Sequence, residues 1–259
     1  MSRISIIVNC HNGEKYLKKS IQSILNQSYK NWEIIFFDNV STDTSENIIK
    51  SYNDKRIKYY KSKKYLNLYK ARNEAIKKTT GNYIAFLDVD DWWDKNKLTE
   101  QFNFLKKNKK YKFVCTNFYL YSQDKKELTK KYKLKLPSGE ITQDLLNEYF
   151  IAISSVLLDR EIFKLRSFKN KYNIIGDFDF FINLSKSHLI GVINKPLLFA
   201  RIHGSNTLNK NINSYYKELK NWFKNNEKGL LKKKYNLNKL RVYLIKLKIQ
   251  AFFGFFKRK

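Results

Sequence analysis

Gly81-Asn82-Tyr83-Ile84-Ala85-Phe86-Leu87-Asp88-Val89-Asp90-Asp91 is the stretch that decides how this chain reads. Gly81 breaks the polar segment before it. Tyr83 to Leu87 is a short apolar run, the pattern of a buried strand. Carboxylates then arrive at Asp88, Asp90 and Asp91. A strand ending in clustered Asp places negative charge at the carboxyl edge of a sheet, where open α/β folds bind ligands. Asp88 and Asp90 can turn toward one hard cation, which takes oxygen ligands and bridges to phosphates. Taken alone, the triplet favours a solvated turn before a helix cap, since short acidic triplets are common.

The segments upstream tip the balance. Ile4-Ser5-Ile6-Ile7-Val8 reads as a strand buried on both faces, followed by the polar loop Asn9-Cys10-His11-Asn12-Gly13. A helix is predicted from Glu14, with Leu17, Ile21, Ile24 and Leu25 on one face. Trp32 to Phe37 is a second strand, ending in Asp38-Asn39-Val40-Ser41-Thr42-Asp43. A helix bearing Ile48, Ile49 and Tyr52, a strand from Ile57 to Tyr60 and a helix from Leu68 to Thr79 complete the series. The alternation predicts an α/β fold with a mostly parallel sheet flanked by helices.

Downstream, the pattern predicts a helix over Lys95–Asn108, a strand over Phe113–Tyr121 and a Lys-rich hairpin or loop over Ser122–Leu136. Ile151 to Leu158 reads as a strand, Asp177 to Ser187 as a helix, and Leu197 to Ile202 as the last strand. Residues 1–205 read as one domain and 206–259 as a basic helical extension.

Composition sets limits. The 259 residues are 42% apolar, enough for a sizeable core. Ile4 to Val8 is too short for a secretory h-region, and no run approaches a membrane span. Cys10 and Cys115 lack metal-type spacing, so free thiols and a cytoplasmic location are expected. A net charge of +29 points to an anionic partner: nucleic acid, anionic lipid or a phosphorylated substrate.

The ordered motifs resemble those of family 2 glycosyltransferases of the GT-A fold, from Ile4 to about Thr207. The similarity rests on Ser5 to Asn12, Ile21 to Tyr29, Asp38 to Asp43, Ala71-Arg72-Asn73, Phe86 to Asp91, Gly176-Asp177-Phe178-Asp179 and Arg201 to Thr207. The family usually has proline at the position of Asn9 and glycine at that of Val40. It has an acidic residue where Asn39 stands, and often a glutamate where Gly176 stands. The Gln/Trp motif and membrane spans of processive synthases are absent from the sequence.

The resemblance implies an inverting, non-processive transfer from a nucleotide-sugar, a UDP-sugar by type. The acceptor would be a glycan or lipid-linked hydroxyl, as in lipopolysaccharide or capsule biosynthesis. It implies a divalent metal, Mn²⁺ or Mg²⁺, on Asp90, with Asp88 near the ribose or reaching the metal through water. Asp91 can join this loop or cap the next helix. Asp38 can accept the imide N–H of uracil, or be a solvated strand end. Asn12 and Glu14 can line the base and ribose, and Glu14 can equally favour its helix N-terminus. Arg72 can hold the nucleotide or brace the acidic loop. His203 can ligate the metal or, with Arg201, bind the diphosphate. Asp177 is the candidate general base, with Asp179 its competitor. His11 and His188 read as structural.

Other classes are weighed against this one. A nucleotidyltransferase would want a Gly-rich, Arg/Lys-bearing opening loop, which Asn9 to Gly13 lacks. A basic nucleic-acid-binding module would suit the charge and the 19 Phe and 18 Tyr residues, but no recognition motif of that class appears, so nucleic acid is not expected as a partner. Lys232 to Lys234 precede an apolar helix ending in Lys257-Arg258-Lys259. That helix can pack on the domain through Leu240, Leu244, Leu247 and Ala251, or attach the protein to an anionic membrane surface.

Overall fold

The computed structural model describes residues 2–204 and 211–256, with side chains through residue 252. Ser205, Asn206 and Thr207, the end of the late loop, and the terminal Lys257-Arg258-Lys259 lie outside the described residues.

The first half is a parallel sheet. Strands β1 (Ile4–Cys10), β2 (Trp32–Asp38), β3 (Ile57–Lys61) and β4 (Tyr83–Phe86) lie in the order β3-β2-β1-β4. Helices α1 (Glu14–Leu25), α2 (Ser45–Lys50) and α3 (Leu68–Ile76) connect them. β2 is buried along its whole length, as a strand covered on both faces must be.

Glu33 fastens the start of this half. Its Oε1 accepts hydrogen bonds from Ser5 Oγ at 2.6 Å and from the Thr80 amide at 2.7 Å, and its Oε2 pairs with Lys58 Nζ at 2.7 Å. Gly81 is required beside it, because a Cβ there would lie 2.7 Å from the Arg3 carbonyl oxygen.

The second half is mixed. It comprises β5 (Trp92–Trp93), α4 (Lys97–Lys107), β6 (Phe113–Ser122), β7 (Glu127–Lys130), α5 (Thr142–Asn147), β8 (Leu157–Asp159), α6 (Ile162–Leu165), α7 (Gly176–Ser185) and β9 (Ile190–Ile202). The sheet continues β4-β8-β6-β9-β5, with β7 forming a hairpin on β6. β8 runs antiparallel to both β4 and β6, while β9 runs parallel to β6. The parallel order predicted for the sheet therefore describes its first half, and the full sheet is mixed.

Ile151 to Leu158 is not one strand. Ile153–Ser155 forms a 3₁₀ turn, and only Leu157–Asp159 pairs in the sheet. The Ser154 carbonyl accepts Trp93 Nε1 at 2.8 Å and Ser154 Oγ accepts the Asp88 amide at 3.1 Å, so this backbone serves side chains and a loop rather than a ladder. The last strand begins earlier than predicted, at Ile190, and bends through register shifts around Asn117.

Two apolar clusters cover the sheet. Helices α8 (Ile212–Lys232) and α9 (Asn238–Phe256) add Leu219, Trp222, Leu230, Leu240 and Leu247 to one of them. The basic extension thus continues a core of the sheet.

Candidate functional site

The carboxyl ends of β1, β2 and β4 bring three loops to one sheet edge. The first two are fastened to each other. Asn12, at φ 55°, accepts the Thr42 amide at 2.8 Å through its Oδ1. Glu14 Oε2 accepts the Thr44 amide at 2.9 Å and the Thr44 hydroxyl at 2.6 Å. Both side chains therefore hold loop to loop in this structure. Asp38 is fully buried, accepting the Ser41 amide at 2.7 Å and the Tyr59 hydroxyl at 2.8 Å. It is a strand-end aspartate, but not a solvated one.

Asn39 explains a departure from the family pattern. Its amide donates to the Leu66 carbonyl at 2.7 Å and accepts the Leu66 amide at 2.9 Å. A carboxylate can only accept, so aspartate would lose half of this pair. Val40 follows at φ 62°, a region costly for a β-branched residue, which is why glycine is the expected occupant. His11 is held by the Asn39 carbonyl at 2.9 Å and the Tyr65 ring, as a structural histidine.

The acidic loop divides its labour. Asp88 pairs with Arg72 over 2.7 Å. Asp90 Oδ2 meets His203 Nε2 at 3.0 Å. Burial, with the charge of Asp88 next, pushes the Asp90 carboxyl above the usual carboxylate range. Asp91 accepts the Arg201 amide at 3.1 Å and faces Ser154, so it ties the loop to β9. The helix-cap reading of Asp91 is corrected: β5 intervenes, and α4 starts only at Lys97.

Arg72 is buried on α3, and its charge is felt by Asp177 as well as by Asp88. The same helix carries Tyr69, whose hydroxyl lies 3.1 Å from Asp177 Oδ1. Asp177 sits in the first turn of α7, where burial raises its carboxyl pKa and Arg72 opposes the shift. Asp179 turns elsewhere. Its Oδ1 accepts Trp222 Nε1 at 2.8 Å and Lys169 Nζ at 3.0 Å, fastening α8 to α7.

Beside Asp90, Arg201 donates from Nε to the Asp90 carbonyl at 3.0 Å. Its guanidinium lies 4.7 Å from the Tyr16 ring centroid and 4.8 Å from that of Trp92. Lys19 Nζ is 3.4 Å from the Trp92 centroid. Burial and the charge of Arg201 lower its pKa. Two cations held on one aromatic platform suit an anion.

Sequence reasoning missed Tyr69, Ser154 and Lys19. Of these, only Lys19 carried a signal, one helical turn from Tyr16 on α1. Among the described residues, no three His, Cys, Asp or Glu side chains are grouped to hold a metal ion. Asp90 and His203, 3.0 Å apart, could offer one oxygen and one nitrogen to a cation whose remaining ligands were phosphates and water.

Residues 5–166 match the family described as glycosyl transferase family 2. An uncharacterized glycosyltransferase of Rickettsia bellii is 33% identical over 221 residues, 85% of this chain and 32% of the relative. The chain thus spans about a third of that relative's length. The Escherichia coli protein WfaP, named as a UDP-Glc:alpha-D-GlcNAc-diphosphoundecaprenol beta-1,3-glucosyltransferase, is 35% identical over 213 residues, 81% of this chain and 82% of WfaP. The crystal structure of S. aureus TarS 1-349 in complex with UDP-GlcNAc superposes with a TM-score of 0.67 at 17% identity, covering 84% of this chain and 64% of that one. The fold is that of TarS, and the chain belongs to glycosyl transferase family 2.

Proposed function

We propose that this family 2 glycosyltransferase moves a hexosyl group from a UDP-sugar to a hydroxyl of a lipid-linked or glycan acceptor, with inversion, in bacterial surface-glycan synthesis. The observation that carries the reading is helix α3, whose buried Arg72 pairs with the donor-side Asp88 and whose Tyr69 hydroxyl meets the acceptor-side Asp177. Support for the donor and acceptor comes from the substrates named for WfaP.

Asp177 is the base. It takes the proton from the acceptor hydroxyl as that oxygen attacks the anomeric carbon, and UDP leaves with the bonding pair. Burial raises its pKa, which makes it a better proton acceptor than an exposed aspartate. Among the described residues, Tyr149 Oη is buried without a hydrogen-bond partner and feels the charge of Asp177, so it can orient an acceptor hydroxyl.

On the donor side, Asp38, Asn12 and Glu14 shape the nucleotide cleft, with Asp38 serving the uracil. Arg201 and Lys19 receive the diphosphate. Asp90 and His203, with Asp88 nearby, would hold a Mn²⁺ or Mg²⁺ ion that neutralises charge on the leaving diphosphate. A lipid-linked acceptor places this work at the inner face of the cytoplasmic membrane.

The test is UDP release from a panel of UDP-sugars in the presence of GlcNAc-diphospho-lipid acceptors, with and without chelator. Acceptor-dependent UDP release that stops on chelation and returns with Mn²⁺ or Mg²⁺ is expected. Release that continues in excess chelator contradicts the metal role. No release, together with steep salt-dependent RNA binding, supports a basic nucleic-acid module instead.

A further inference from the structure

Helix α9 is apolar on two opposite sides. Leu240, Leu247 and Ala251 are 4%, 2% and 5% exposed and pack toward α8 and α5. Val242, Ile245 and Ile249 are 51%, 60% and 50% exposed. Their spacing of three and four residues makes one stripe. At the helical rotation of about 100° per residue, it lies opposite the packed one.

Cations border this exposed ridge. Arg241 and Lys248 lie along one side of it, Lys239 and Lys246 along the other, all exposed. After Glu227 the chain has 11 Lys and Arg and no Asp or Glu. No helix among the described residues is long and apolar enough to cross a membrane. A one-helix ridge of aliphatic side chains between cationic rails has the form of a helix lying in a membrane interface: the apolar edge enters the acyl boundary and the cations meet lipid phosphates. A protein partner would need a groove matched to the ridge, whereas a bilayer deforms around it.

We propose that the Val242–Ile245–Ile249 face of α9 seats the protein on an anionic membrane surface. The consequence for catalysis rests on the transferase reading. The Tyr243 hydroxyl of α9 lies 3.2 Å from that of Tyr215 on α8, and α8 is fastened by Trp222 to Asp179 on α7, the helix that carries Asp177. The membrane-facing helix is therefore joined to the acceptor end of the cleft, where a lipid-carried acceptor arrives.

Vesicle binding tests the surface without donor or acceptor, so its failure is distinct from failure of the transferase reading. Full-length protein is sedimented with phosphatidylcholine vesicles with and without phosphatidylglycerol. Two variants are compared, both keeping good helix formers on exposed positions. One is Val242→Gln, Ile245→Gln and Ile249→Gln combined; the other is Lys239→Gln, Arg241→Gln, Lys246→Gln and Lys248→Gln combined. Circular dichroism confirms that each remains folded. The expected result is binding that requires phosphatidylglycerol, weakened roughly tenfold or more by the ridge variant and reduced by the rail variant. Unchanged binding by the folded ridge variant overturns the proposal. So does a wild-type dimer by analytical ultracentrifugation that the ridge variant converts to monomer without loss of vesicle binding.

Discussion

The hydroxyl of Tyr69 lies 3.1 Å from Asp177 Oδ1 and 2.6 Å from the Ile174 carbonyl oxygen, one proton facing two acceptors. The ring of Tyr69 also fills the space next to position 176. A Cβ on Gly176 would come within 2.5 Å of it. Glycine here, where the family pattern often has glutamate, is the counterpart of the tyrosine one helix away. The pair sets the first turn of α7 against α3 and holds Asp177 against the Tyr69 hydroxyl.

Removing that hydroxyl has a signed consequence. The Tyr69 hydrogen bond favours the charged form of Asp177 and holds its raised pKa down. Tyr69→Phe should therefore move the acid limb of the kcat/KM profile to higher pH, from a wild-type limb itself expected above the ordinary aspartate value of about 3.9. A limb that stays in place or moves to lower pH contradicts the contact.

Arg72 should not tolerate its usual substitute. Lysine keeps the charge but loses the planar fork that reaches Asp88 from a buried position. Arg72→Lys is expected to reduce kcat/KM by at least about tenfold, the scale of one charge-assisted hydrogen bond. The same variant should remain folded by circular dichroism. Full activity would leave the link between donor and acceptor sides without a role.

Glu33 predicts an acid-sensitive fold. Hydrogen bonds from Lys58, Ser5 and Thr80 outweigh burial and hold its carboxyl at about 2. A depressed folded pKa stabilises above the unfolded value and is lost as pH falls toward the folded one. Glu33 should thus contribute on the order of 3 kcal/mol at neutral pH, fading between about pH 4.5 and 2. Urea unfolding of wild type and Glu33→Gln across that window should show the two converging. A constant difference contradicts the linkage.

Val40 offers a gain. Its φ of 62° is a left-handed conformation that costs a β-branched residue roughly 1–2 kcal/mol. Val40→Gly removes that strain and adds some unfolded-state entropy, so a net rise of up to about 1 kcal/mol is expected. A fall in the thermal midpoint would show that the Val40 side chain contributes more than its backbone costs.

The parallel half of the fold was legible because its strands are covered on both faces and so read as plain apolar runs. The acidic strand announced the sheet edge by charge alone. Ile151 to Leu158 misled for the same reason, since its apolar side chains fill the core while Ser154 accepts hydrogen bonds from Trp93 and the Asp88 amide. The candidate site was legible where a motif carried it, at Asp88, Asp90, Asp177 and His203. Tyr69 was not, because an aromatic on a helix face looks the same whether it packs or orients a carboxylate. Asn39, Val40 and Gly176 stood out only as departures, and their partners Leu66 and Tyr69 lie in other segments. Arg72, left open between nucleotide and acidic loop, pairs with Asp88 in this structure.

The central claim is that Asp177 is the base and Asp179 a structural anchor for Trp222. Asp177→Asn is nearly isosteric, so transfer is the quantity to measure, beside UDP binding by calorimetry with and without Mn²⁺. Transfer should fall by about 10²–10⁴, the range for loss of a positioned base, while UDP affinity and its metal dependence persist. Asp179→Asn should instead lower thermal stability and leave transfer largely intact below its melting point. Near wild-type transfer by Asp177→Asn, or a folded but inactive Asp179→Asn, would contradict the account.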